Sequence, residues 1–154
     1  MIQAIPNEDF FALVEEFIAE GKSVNIAVKG NSMRPFLPNG RRVQLTPCTE
    51  AEIRPGVVVL FRHRGVHILH RVVARRGDAL LLQGDGNAVG QEQASVADVV
   101  ALVRFVFPRE GSQPLSTASR SWRFRSRCWM WMRPFRRYLL ALYDRRGRFL
   151  SLRR

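Results

Sequence analysis

The sequence predicts a mostly β protein, with an antiparallel β core, an N-terminal helix and a C-terminal helical arm. Short β-type runs separated by turn residues fill residues 23–110, and apolar residues recur at helical spacing at both ends. At 154 residues, the chain has room for one well-filled domain and an appendage. We divide it into an N-terminal amphipathic helix (1–22), a β-rich core (23–110), a linker (111–121) and a basic amphipathic helical arm (122–154).

The first helix has a start signal, a periodic face and a stop signal. Asn7 is a capping residue, the acidic residues after it suit the positive end of a helix, and Gly21 ends it. Its apolar positions are Phe10, Val14, Phe17 and Ile18. Glutamates interrupt this stretch and no basic residue precedes it, so we expect neither a signal peptide nor a membrane anchor here.

The core contains six runs typical of β-strands. They are Val24–Val28, Arg42–Leu45, Val57–Arg62, Val66–Ala74, Ala79–Leu82 and Val96–Phe107. Arg64 and Gly65 predict a hairpin turn, and residues 75–78 predict another. Consecutive strands should therefore pair side by side and antiparallel.

The net charge of +12 is concentrated in the arm. Residues 1–119 carry 13 basic and 12 acidic side chains, whereas residues 120–154 carry 12 arginines and only Asp144 as an acid. The core is nearly neutral, which disfavours nucleic acid as its partner. The arm has its own helix opening at Pro134, with Phe135, Tyr138, Leu139 and Leu142 on one face.

Three hypotheses describe the arm. In the first, it packs on the core and leaves its arginines in water. In the second, residues 122–154 contact a membrane surface or a partner protein, because tryptophan with arginine is typical of an interfacial helix. A nucleic-acid role is weaker, since no known binding motif frames these residues.

Ser32 is the candidate nucleophile. It follows a β run and opens a loop rich in Pro and Gly, and Gly30 before it allows a substrate to approach the backbone closely. The Ser32 amide could then face the oxyanion of a tetrahedral intermediate. Taken alone, a serine at such a position is more often an ordinary turn residue.

His70 is the candidate general base, because a serine hydroxyl needs one near neutral pH. Strand alternation places His70 on the apolar face of its strand and His67 on the opposite face. That parity argues against a zinc site built from His63, His67 and His70, so no metal is predicted. We expect His63 and His67 to be solvated, and periodicity alone also allows His70 to be a satisfied core histidine.

Four blocks in order resemble the signal peptidase superfamily, which includes the self-cleaving SOS-type repressors. The blocks are Gly-Asn-Ser-Met-Arg-Pro from Gly30, Pro-Gly-Val-Val from Pro55, His-Arg-Val-Val from His70 and Gln-Gly-Asp-Gly-Asn from Gln83. The resemblance covers residues 24 to 105 and implies a β-rich catalytic core. Ser32 then matches the nucleophile, and His70 occupies the base position.

The chain departs from the family pattern at several positions. The base is histidine, as in the endoplasmic-reticulum and archaeal type, instead of lysine; histidine ordinarily titrates close to neutrality. The second aspartate that completes the histidine-type triad is missing, so either Asp85 or Glu92 orients His70, and we favour Asp85. Gly30 replaces the serine that supplies an extra oxyanion donor, and Val57 replaces a common aspartate.

These observations predict a serine-type endopeptidase that needs no cofactor. The absence of a membrane-spanning segment disfavours secreted preproteins as substrates. We expect a cytoplasmic peptide or protein precursor instead, such as the leader of a modified peptide. Cys48 and Cys128 are predicted to be free thiols, which favours a reducing compartment, so we expect a cytoplasmic protein. The arm could keep it at the inner membrane surface. The alternative is a noncatalytic binding module of the same fold. A repressor-like autoprotease is disfavoured because only 22 residues precede the core.

Overall fold

A computed structural model describes residues 7–151, with side chains described through residue 146. The ends of the predicted N-terminal segment (1–6) and arm (152–154) lie outside the described residues. The helices are α1 (Asn7–Ala19), α2 (Arg120–Trp131) and α3 (Arg136–Ser151). The strands are β1 (Val24–Ala27), β2 (Arg42–Thr46), β3 (Val58–His63), β4 (Val66–Arg76), β5 (Ala79–Gln83), β6 (Glu92–Ser95), β7 (Val99–Phe107) and β8 (Leu115–Ser116).

The strands form one antiparallel sheet in the order β1-β2-β7-β3-β4-β5-β6, with β8 also paired to β7. This confirms the predicted mostly β fold with helices at its ends. The turn at Arg64 and Gly65 joins β3 to β4, as predicted. β6 and β8 were not predicted, because polar residues dominate β6 and β8 has only two residues. The predicted linker therefore contributes a strand to the sheet.

Two apolar clusters lie on opposite faces of the sheet, because alternate residues of β3 belong to different clusters. Leu60 packs with the buried side of α1 and with Trp122 of α2, whereas Phe61 packs with Val72 and Leu82. α1 covers its face with Val14 and Ile18, which are almost fully buried. Phe17, expected on that apolar face, is 42% exposed.

The predicted arm consists of two helices separated by a single 3₁₀ turn at Arg133–Phe135. Its first helix, α2, begins after Ser119, whose hydroxyl accepts a hydrogen bond from the Trp122 amide. Trp122 and Trp129 are buried against the core. None of the helices in the described part of the chain is long and apolar enough to cross a membrane.

Candidate active site

Ser32 lies in the loop between β1 and β2, residues 28–41, which we call the Ser32 loop. Backbone hydrogen bonds close its neck: the Val28 amide donates to the Arg41 carbonyl (2.8 Å), and the Gly40 amide donates to the Val28 carbonyl (2.7 Å). Gly30 has φ +83°, a conformation that side chains disfavour, and it turns the chain into the loop. The loop is therefore held at the end of the sheet where β1 stops.

Two buried side chains fix the Ser32 loop to the core. Met33 is 1% exposed and Leu37 is fully buried, both within the same apolar cluster as α1. Ser32 itself is only partly buried. An anchored loop thus leaves its serine within reach of a substrate.

His70 is 3% exposed on β4, and its Nδ1 lies 2.6 Å from Oε2 of Glu92, the first residue of β6. β5 lies between these two strands and pairs with both. The centroid of the His70 ring lies 6.3 Å from that of Phe61, which belongs to the same apolar cluster as Val72, so His70 lies on the face that strand alternation predicts. With Nδ1 donating to Glu92, Nε2 carries the lone pair that a general base needs.

Among the described residues, no hydrogen bond joins the Asp85 carboxylate to His70, contrary to the expectation that Asp85 orients this imidazole. Its carboxylate receives two hydrogen bonds from Arg71, at 2.8 Å from Nε and 2.6 Å from Nη2, and both side chains are about 1% exposed. Arg71 follows His70 on β4 and so projects to the opposite face. Of the two acids that the sequence left open, Glu92 is the one beside the imidazole.

The loop of residues 84–87 brings Ser32 and His70 together. The Gly86 amide donates to the Ser32 carbonyl oxygen (2.7 Å), which ties this loop to the Ser32 loop. A Cβ placed on Gly84 would collide with the same carbonyl oxygen and lie 2.9 Å from His70 Nε2. The backbone of Ser32 and the free nitrogen of His70 therefore face each other across a position that only glycine fits.

The Ser32 hydroxyl and His70 are not hydrogen-bonded to each other in the described residues. A serine hydroxyl moves by rotation about χ1, and catalytic hydrogen bonds commonly tighten only when substrate is present. The structure thus places the Ser32 backbone close to His70 Nε2, across Gly84.

His67 is a structural residue and not a solvated one, which corrects the expectation for it. Its Nε2 lies 2.6 Å from Glu15 Oε1, and its ring stacks on Phe11 at 4.6 Å between centroids. Both partners belong to α1, so His67 fastens that helix to the sheet. His67 and His70 serve opposite faces, as the parity argument predicts.

Three arm residues that the sequence analysis did not single out contact this region. Ser126 Oγ accepts a hydrogen bond from Arg71 (2.9 Å), and Trp129 Nε1 donates to the Asp85 carbonyl oxygen (3.1 Å). Arg136 is 2% exposed and points Nη1 at the Gly84 carbonyl oxygen (3.4 Å); burial lowers its pKa, while Asp85 opposes that effect. The spacing of Trp122, Ser126 and Trp129 along the sequence places them on one face of a helix, and this pattern could have predicted that the face is buried.

An antiparallel sheet that holds a serine on one loop, a histidine on β4 and a carboxylate partner of that histidine on β6 is typical of a serine-peptidase type of fold. A family model described as Peptidase S24-like matches residues 1–104, and the chain belongs to this family. This confirms the resemblance to the signal peptidase and SOS-repressor type. No curated protein matches the chain. The family match ends within β7, so the arm lies beyond it.

Proposed function

We propose that this protein is a serine endopeptidase in which Ser32 is the nucleophile, His70 the general base and Glu92 the residue that orients His70. The observation that supports it is the contact of His70 Nδ1 with Glu92, with Nε2 directed to the backbone of Ser32 across Gly84. A buried histidine held by a carboxylate on one nitrogen and left free on the other is equipped to accept a proton.

The reaction follows the general scheme for serine acyl transfer. Ser32 Oγ forms a bond to the peptide carbonyl carbon as its proton passes to His70 Nε2, and the carbonyl oxygen becomes the oxyanion. The Ser32 amide has no hydrogen-bond partner among the described residues, which leaves it available to that oxyanion. His70 then protonates the leaving amine, and water hydrolyses the acyl-enzyme by the same proton route.

The substrate class follows from the type of site and not from a pocket of defined shape. We propose a peptide or protein precursor, such as a leader-bearing peptide, that enters as an extended strand. A short backbone segment is the substrate form that a nucleophile on an open loop at a sheet end accommodates best.

The decisive experiment measures phosphonylation of Ser32 by a fluorophosphonate probe. Ser32 Oγ would bond to phosphorus, fluoride would leave, and the proton would pass to His70. Ser32→Ala should abolish labelling, and His70→Ala should slow it by roughly 10⁴-fold or more with the fold intact. Ser23→Ala and His63→Ala serve as matched controls and should label normally.

The same experiment separates this proposal from its alternatives. A wild-type protein that stays folded but is never labelled at Ser32 would support a noncatalytic binding module. Self-cleavage of the pure protein, detected by mass spectrometry, would indicate an autoprotease. Labelling that survives His70→Ala unchanged would refute the assigned base.

We propose further that the arm rests on an anionic membrane surface. Its buried residues Trp122, Ser126 and Trp129 face the core. On its other side, a stripe of large apolar side chains is exposed: Phe124, Trp131, Phe135, Tyr138 and Leu142 are 56–83% exposed. We call this stripe the outer face.

Charge complementarity favours lipid as the occupant of the outer face. Exposed arginines lie beside the residues of the outer face, among which Trp131 is the most exposed, at 83%. Arginine suits anionic headgroups, and aromatic rings suit the interfacial layer beneath them. Each basic residue near such a surface contributes about 1 kcal/mol.

Vesicle sedimentation tests this placement. The wild type should sediment with vesicles that contain phosphatidylglycerol, less at high salt, and little with pure phosphatidylcholine. Replacing Trp131 and Phe135 by alanine should weaken binding, whereas Val89→Ala, at an equally exposed apolar position outside the arm, should not. Equal binding by both variants, or preference for single-stranded nucleic acid over vesicles, would overturn it.

A further inference from the structure

We infer that α2 and the start of α3 are positioning elements of the active site, and that they hold the 84–87 loop and the Ser32 loop in register. This inference rests on the proposed function for its catalytic consequence. The family match ends at residue 104, so it assigns nothing to these elements. The residues that act are Ser126, Trp129 and Arg136.

The arm reaches the 84–87 loop through its backbone carbonyls. Trp129 Nε1 donates to the Asp85 carbonyl oxygen at 3.1 Å, a bond that is buried. Arg136 Nη1 lies 3.4 Å from the Gly84 carbonyl oxygen and 3.5 Å from that of Asn87. These carbonyls belong to the short segment whose Gly86 amide binds Ser32, so a shift of the arm would be transmitted to the nucleophile.

The arm also completes the environment of Arg71. This guanidinium is 1% exposed and has four hydrogen bonds: two to Asp85, one to the Gly56 carbonyl (2.7 Å) and one to Ser126 Oγ (2.9 Å). Ser126 is the only one of these partners that belongs to the arm. A buried cation is stable only when its donors are satisfied, so removing this hydroxyl affects a group next to His70 in the chain.

The Ser32 loop is held by the same helices. Phe36 packs edge-on against Trp122 (5.4 Å between centroids) and Trp129 (6.1 Å), and the Arg71 guanidinium lies over the Phe36 ring, 4.8 Å from its centroid. Further along, Arg34 pairs with Asp144 of α3 at 3.1 Å. The arm therefore contacts both the Ser32 loop and the 84–87 loop.

Such contacts have a catalytic consequence that differs from global stability. The Ser32 hydroxyl must reach His70 Nε2. His70 is fixed on β4, whereas Ser32 lies on a loop with little regular secondary structure that is tied to the 84–87 loop. A displacement of about 1 Å between reacting groups lowers the rate by as much as about 100-fold. Loosening the arm should therefore slow chemistry in molecules that remain folded.

The test uses conservative variants and matched controls. Trp129→Phe keeps the aromatic packing and removes the indole donor, and Phe17→Leu, at an exposed aromatic position on α1, is its control. Ser126→Ala removes the acceptor of Arg71, Ser126→Thr restores a hydroxyl, and Ser121→Ala is the exposed control. All are full-length chains, assayed where circular dichroism shows each to be fully folded.

The first readout is amide hydrogen exchange of residues 84–87, which needs no activity. Trp129→Phe and Ser126→Ala should accelerate exchange of the Gly86 amide by about tenfold, and the controls should match the wild type. The second readout is fluorophosphonate labelling of Ser32. Both variants should lower the maximal rate by about 10- to 100-fold with the half-saturating probe concentration unchanged, and Ser126→Thr should recover most of it.

The outcomes separate the two proposals. Absence of Ser32 labelling in the wild type would refute the peptidase proposal, while the exchange data would still decide whether the arm holds the loops. Unchanged Gly86 exchange in Trp129→Phe and Ser126→Ala, or an equal effect in Phe17→Leu, would refute the inference. If the wild type is labelled, labelling of Trp129→Phe at the wild-type rate would also refute it.

Discussion

His70 Nδ1 lies 2.6 Å from Glu92 Oε2, whereas the carboxylate of Asp85 is occupied by Arg71. Asp85 and Glu92 both follow His70 within 22 residues, and each contacts a different one of the neighbours His70 and Arg71. In the proposed mechanism Glu92 therefore orients His70, while Asp85 pairs with Arg71. Substitutions at the two acids should differ in kind.

Glu92→Gln should lower the rate of Ser32 labelling by roughly 10²- to 10⁴-fold and leave the fold intact. The amide keeps the size of the side chain but no longer fixes the Nδ1-protonated tautomer or stabilises the imidazolium. Rates measured at saturating fluorophosphonate, with circular dichroism as the folding check, test this. The double variant Gln91→Glu/Glu92→Gln is the control for local charge. It keeps a carboxylate at the exposed neighbouring position and should label as slowly as Glu92→Gln.

Asp85→Asn should mainly unfold the protein. It leaves the Arg71 guanidinium buried with weakened compensation, and breaking a buried pair in this way costs about 3–5 kcal/mol. Urea unfolding measures the change, and Asp78→Asn, at an exposed aspartate in the turn before β5, should stay within about 0.5 kcal/mol of the wild type. If Asp85→Asn kept full stability but lost labelling, Asp85 would have a catalytic role after all.

Much of this arrangement follows from local sequence rules. Alternation along β4 separates His70 from both His67 and Arg71, and the turn at Arg64 fixes the pairing of β3 with β4. The choice between Asp85 and Glu92 does not follow from them. It depends on β6, a polar strand that pairs with β5 through Leu82 and Glu92.

The buried contacts of the arm with the site could not be predicted for a similar reason, although the helical arm itself was. Charge and composition predicted an amphipathic arm whose arginines are exposed to solvent. Arg136 is nevertheless buried beside Trp129, with its guanidinium 5.4 Å from the indole ring. A charged side chain is buried only where tertiary partners satisfy it, here backbone carbonyls of the 84–87 loop. No local sequence pattern specifies such partners.

Gly84→Ala should reduce labelling by at least about 100-fold, because the new methyl group would collide with the Ser32 carbonyl and crowd His70 Nε2. Gly90→Ala is the matched control. A Cβ there meets only Asn87 Nδ2, at 4.0 Å, so activity should be close to that of the wild type. Similar rates for both variants would show that the Ser32 loop does not approach His70 as closely as described.

Glu52 and Asp98 should set part of the acid limit of stability. Hydrogen bonds from the Thr49 backbone and from Arg104 lower the pKa of Glu52 below its ordinary 4.5, and those from Ser95 lower the pKa of Asp98 below 3.8. Both acids cap 3₁₀ turns beside the sheet. Because the folded pKa is the lower one, this stabilisation is complete above the unfolded pKa and is lost as pH falls through the folded pKa.

Glu52→Gln and Asp98→Asn should therefore be less stable than the wild type at pH 7, by about 1 kcal/mol or less because both side chains are partly exposed. The deficit should shrink as pH falls below the ordinary carboxyl pKa, since the wild type then loses the same hydrogen bonds. Urea unfolding at pH 7, 5 and 3 measures it. Glu16→Gln, at an exposed site on α1, is the control, and a deficit that grew toward low pH would contradict the lowered pKa values.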